Sequence, residues 1–152
     1  MRVRNVAVIG AGAASEAEGA LAEEAGRAIA REGWALVCGG LGGVMAAASK
    51  GAREAGGLVI GILPGYRHDE GNPHLSVAIP TGLGHARNAV VATSADCVLA
   101  VGGEHGTLSE MALALKMGKP VVALKCQWAG VPGVETAATV AQAVAFIKSR
   151  LG

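Results

Sequence analysis

The stretch DCVLAVGGEHGTLSE, running from Asp96 to Glu110, decides the fold class. Cys97 to Val101 is a continuous apolar run with no polar alternation, the pattern of a strand covered on both faces. Gly102 and Gly103 stop it, and Thr107 to Met117 then reads as a helix. A buried strand, a glycine-rich turn and a helix in that order make one unit of an α/β fold.

The same unit recurs on both sides of this stretch. Val3 to Ile9 is a strand followed by Gly10 and Gly12, and Glu16 to Glu32 is a helix opened by a Ser15-x-x-Glu18 capping box. Trp34 to Cys38 is a strand followed by GGLGG, and Val44 to Ala55 is a helix. Leu58 to Leu63 is a strand ended by Pro64-Gly65. Residues 64–82 form a long polar excursion with a short apolar piece near Val77 to Ile79. Loops of this length in compact domains are usually functional. Gly84 to Ser94 reads as a helix, Val121 to Leu124 as a strand, and Glu135 to Arg150 as the last helix. The expectation is one doubly wound, Rossmann-like α/β domain over residues 1–152, with a mostly parallel sheet.

Composition removes several alternatives. The 152 residues include 24 glycines, 51% are hydrophobic, and the formal charge is +1. Disorder needs the opposite balance, and no apolar run reaches the roughly 18 residues of a membrane span. A near-neutral chain with 3% aromatics offers neither the clustered cations nor the stacking surface that nucleic acids require. Only 16% of residues are charged, which points to surface hidden in a homo-oligomer, dimer or tetramer. Three cysteines without a CxxC pair read as free thiols in a reducing cytoplasm. The basic N-terminus is followed at once by Glu16 and Glu18, so it reads as a first strand and not a targeting segment.

The glycines gather where strands end. In an open α/β sheet those positions share the carboxyl edge, where ligands bind. Glycine admits close approach to backbone amides, and a helix N-terminus behind it adds free N–H groups and partial positive charge. Gly39, Gly40, Gly42 and Gly43 after the second strand, and Gly102, Gly103 and Gly106 with Thr107 after Val101, are expected to face each other as a phosphate cradle. The first cluster, Gly10-x-Gly12, lacks the third glycine of a dinucleotide fingerprint. The second strand also ends without a carboxylate for a ribose, so ordinary NAD binding is not expected. Thr107 and Glu110 satisfy the pattern of a capping box. Equally, Glu110 one turn into the helix is placed to act as an acid/base or to hold a hydroxyl. Arg87, in a helix of small apolar residues, is either a solvated surface cation or a bidentate partner for a phosphate, with Asn88 beside it as a further ligand-binding residue. His105 reads as an exposed loop residue. No metal-ligand spacing appears.

The ordered motifs GGLGGVM, KGAREAGG, IGILP, EGNPH, TGLGHARN, SAD, GGEHGTLSE and GKPVVAL resemble the LONELY GUY-like superfamily of Rossmann-type proteins. The branch they look closest to includes the molybdenum-cofactor carrier proteins. The resemblance runs from Val3 to about Leu124. In the cytokinin-activating members, a PGGxGTxxE loop binds the phosphate of a nucleoside monophosphate. Carried over, that role falls on Gly102, Gly103, Gly106 and Thr107, with Arg87 and Glu110 assisting N-glycosidic cleavage. Val101 stands where those enzymes have proline and Asn88 where they have lysine, which fits the carrier branch better. The resemblance thus implies a phosphorylated nucleotide-like or pterin ligand, molybdenum cofactor included, held without turnover and with no required cofactor. A phosphoribohydrolase releasing free base, and an oligomeric scaffold with a vestigial site, are the alternatives.

Overall fold

A computed structural model describes residues 2–152. Seven parallel strands form one sheet: β1 (Asn5–Gly10), β2 (Ala35–Cys38), β3 (Val59–Leu63), β4 (Val77–Pro80), β5 (Cys97–Val101), β6 (Val121–Leu124) and β7 (Val134–Ala137). Their order across the sheet is β4-β3-β2-β1-β5-β6-β7. The helices are α1 (Glu16–Arg31), α2 (Val44–Glu54), α3 (Arg87–Ser94), α4 (His105–Lys116) and α5 (Val140–Leu151). This is the Rossmann-like α/β architecture expected from the uninterrupted apolar strands.

Alternate residues of each strand feed opposite layers, as a period of two requires. Val6 and Val8 of β1, with Leu36, Cys38, Leu99 and Leu124, pack against Ala22, Ala25 and Ile29 of α1, Ala48 and Ala52 of α2, and Ile147 of α5. Ala7 and Ile9, with Val37, Val98 and Ala100, pack against Val91 and Ala92 of α3 and Met111 and Ala114 of α4. Two glycines bring α1 and α2 into backbone contact. A Cβ on Gly26 would lie 2.0 Å from the Ala48 carbonyl oxygen, and one on Gly51 would lie 1.9 Å from that of Glu23. Among the described residues no helix is long and apolar enough to cross a membrane.

Three segments differ from the sequence reading. The expected helix from Glu135 begins later, because Val134–Ala137 pairs with β6 as an edge strand. Sheet pairing overrides the helical preference of Glu135 and Ala137, and the α5 helix starts only where the Thr139 hydroxyl accepts from the Gln142 amide, 3.2 Å away. The excursion at 64–82 contains a strand, β4, on the opposite edge of the sheet. There Pro80 is tolerated because an edge strand has one free side. The α4 helix begins at His105, two residues before its expected start.

Candidate functional site

The chain fills one half of the sheet outward from β1 to β4 and then returns to place β5 on the other side of β1. Between β1 and β5 the loops leave in opposite directions, which opens a crevice at the carboxyl edge. A cleft of about 210 Å³ lies there, lined by Gly10, Ala11, Gly12, Met45, His85, Arg87, Asn88, Glu104, Gly106, Thr107 and Glu110.

The topology therefore pairs the first and third glycine clusters. Gly10–Gly12 lines the cleft, although the sequence reading set it aside. Gly39, Gly40, Gly42 and Gly43 belong to the next strand outward and line no part of it. They sit behind the site: a Cβ on Gly39 would lie 2.9 Å from Nη2 of Arg87, and one on Gly43 would lie 2.2 Å from the Ala11 carbonyl oxygen. Gly102 and Gly103 precede the lining residues Glu104, Gly106 and Thr107 but are not themselves part of the lining. Both have positive φ, 61° and 116°. A Cβ on Gly103 would meet the Thr107 side chain at 2.6 Å.

The helix N-termini around the cleft differ in charge balance. The α1 terminus is closed by its own capping box: the Glu18 amide donates to Ser15 Oγ at 3.1 Å, and the Ser15 amide donates to Glu18 Oε1 at 2.9 Å. The α4 terminus has no side-chain cap. The amides from Gly103 to Thr107 donate to no acceptor among the described residues. Free first-turn amides with the dipole behind them attract anions.

The expected Thr107-x-x-Glu110 capping box does not form. The earlier helix start puts Thr107 inside the first turn and Glu110 further along, a residue only 7% exposed. Burial raises the Glu110 carboxyl to about 7, partly offset by the positive charge of Arg87. The Arg87 guanidinium donates through Nη1 to Oδ1 of the buried Asn88. Its Nε is buried and has no partner. An unpartnered buried donor on a cation is costly. His105 is exposed, as expected, but is the first residue of α4 and not part of the loop, and its ring lies 5.7 Å from that of Trp128.

Met45 and His85 escaped the sequence reading as lining residues. His85 was visible only as a neighbour of Arg87, and Met45 as the first turn of a helix after a glycine run. Two roomier grooves, about 530 and 470 Å³, lie near Arg4 and Trp34 and between α1 and α5. They gather no glycine loops. Among the described residues no group of three His, Cys, Asp or Glu side chains could hold a metal ion.

A family model described as the SLOG cluster4 family matches residues 3–149. The chain belongs to the SLOG cluster4 family. Within the SLOG fold it is 46% identical over 125 residues to an uncharacterised protein of Archaeoglobus fulgidus, covering 82% of each chain. The molybdenum cofactor binding protein of the phototrophic bacterium Rippkaea orientalis superposes with a TM-score of 0.94 at 40% identity, over 100% of this chain and 99% of that one. The molybdenum cofactor carrier protein of Chlamydomonas reinhardtii gives a TM-score of 0.90 at 42% identity, with 99% of both chains covered. The family resemblance read from the motifs is thus shown along the whole SLOG domain.

Proposed function

We propose that this chain binds a phosphorylated pterin or nucleotide-like ligand in the β1/β5 cleft, with molybdenum cofactor as its occupant, and acts as a carrier. The observation that carries the reading is the buried, unpartnered Nε of Arg87 beside the uncapped N-terminus of α4. A phosphate between them would accept from the guanidinium and from first-turn amides. Likeness to cofactor-binding and carrier proteins over essentially the whole chain supports the same ligand. A cleft of about 210 Å³ is small for a whole ligand, so the phosphate end enters and the ring system lies across the rim. Anaerobic titration with molybdenum cofactor, AMP and inorganic phosphate tests this. Binding of the cofactor at least tenfold tighter than phosphate is expected. If no phosphorylated compound exceeds inorganic phosphate, the reading falls.

One observation favours a second reading. A buried carboxyl held at about 7 in the same cleft as a cation is matched to proton transfer near neutral pH. On that reading Glu110 and Arg87 support cleavage of a nucleoside 5′-monophosphate to free base and ribose 5-phosphate. Incubation with AMP and chromatography for adenine decides it, and absence of adenine removes it.

The exposed Val77 and Ile79 of the edge strand β4 support self-association, which sedimentation equilibrium measures. The three free cysteines support a reducing, cytoplasmic setting.

A further inference from the structure

Lys125 follows β6 and is the one non-glycine residue with positive φ, 47°, among the described residues. That turn folds residues 126–131 back over the glycine loop after β5, closed by bonds from the Ala129 amide to the Cys126 carbonyl and from Val131 to Trp128. Gln127 Nε2 donates to the Gly103 carbonyl. Trp128 Nε1 donates to the Glu104 carbonyl at 3.0 Å, and its ring rests against His105. Two consecutive carbonyls are thus held from the β6 side.

In a trans peptide the C=O and the N–H of the same plane point in opposite directions. Holding the Gly103 carbonyl orients the Glu104 amide, and holding the Glu104 carbonyl orients the His105 amide. The Glu104 carbonyl also accepts the first helical bond, from Leu108 at 3.1 Å, so the Trp128 indole adds a second restraint on the helix's first peptide. Glycines 102 and 103 have no side chains with which to fix this loop, and Glu104 provides no cap.

We propose that Gln127 and Trp128 are positioning residues for the anion site. They hold the Gly103–His105 backbone so that its free amides meet a bound phosphate in the required geometry. The proposal rests on the phosphate-binding reading above. Preorganised donors bind without first losing loop entropy.

The test uses the full ¹⁵N-labelled chain and the variants Gln127→Leu and Trp128→Phe. Gln127 is exposed, so its replacement leaves the core intact. Two measurements are made: amide spectra without ligand, and titrations with AMP and with inorganic phosphate. The expected result is that Gln127→Leu shifts and broadens the Glu104, His105 and Gly106 amides more than those of the other loops. The Kd for AMP should rise about fivefold, the factor that one lost hydrogen bond carries, and Trp128→Phe should act in the same direction. Unchanged amides in the Gln127→Leu chain would overturn the proposal, as would AMP affinities within twofold of wild type in both variants. If the wild-type chain binds neither probe, the phosphate-binding reading fails by itself, and the amide spectra alone decide whether these side chains hold the loop.

Discussion

Replacing Glu110 with glutamine should stabilise the protein at neutral pH and leave it unchanged in acid. The carboxyl is held up at about 7, against an ordinary 4.5, because burial disfavours its charged form more than Arg87 favours it. A carboxylate whose folded-state pKa is raised contributes no penalty below about 4.5, where both folded and unfolded chains hold the proton. As pH rises the unfolded chain loses its proton first, and stability falls. The loss levels off once the pH passes 7. At about 1.4 kcal/mol per pH unit the interval from 4.5 to 7 amounts to roughly 3 kcal/mol. Glutamine mimics the neutral carboxyl in shape and carries no charge to desolvate. Urea unfolding of wild type and Glu110→Gln at pH 4.5, 5.5, 6.5 and 7.5 reads the difference directly. The variant should match wild type at the lowest pH, and its advantage should grow to about 3 kcal/mol at the highest. A difference that is constant across this range, or a variant less stable than wild type at pH 7.5, would refute the reasoning.

Three further outcomes follow from the geometry. Arg87→Met removes the guanidinium beside Gly39, and AMP affinity measured by calorimetry should fall about 30-fold, in line with roughly 2 kcal/mol for a charge-assisted hydrogen bond; retained affinity would exclude Arg87 from the site. Gly26→Ala drives a methyl to 2.0 Å from the Ala48 carbonyl oxygen, so α1 and α2 must separate, and chemical denaturation should show a loss of about 2 kcal/mol or more. Lys125 occupies left-handed backbone at φ 47°, where a β-branched side chain is strained. Lys125→Val should cost about 1–2 kcal/mol, while Lys125→Gly should cost less, and comparison of their thermal midpoints checks the ordering.

Much of the architecture is legible locally. Uninterrupted apolar runs such as VAVI and CVLAV mark strands buried on both faces, and glycines at their ends mark the carboxyl edge. The two edge strands were not legible. Their burial is partial and their sequences mixed: β7 reads VETA and β4 ends in proline. Only pairing with β6 and β3 makes them strands.

The clearest division concerns two similar motifs. Ser15-x-x-Glu18 and Thr107-x-x-Glu110 carry the same local signal for a helix start. In the first, both reciprocal bonds form, and the helix terminus is neutralised by its own glutamate. In the second, the helix starts two residues early, at His105. Thr107 packs against Gly103, and Glu110 is buried opposite Arg87. Residue types and spacing alone determined that strands, glycine loops and helices alternate, and that Arg87 and Glu110 are candidates. Strand order decided which loops meet. The switch between β1 and β5 brings Gly10–Gly12 to Gly106 and Thr107 and leaves Gly39 against the arginine and Gly43 against Ala11, because neighbours across a sheet are chosen by long-range packing and not by spacing along the chain.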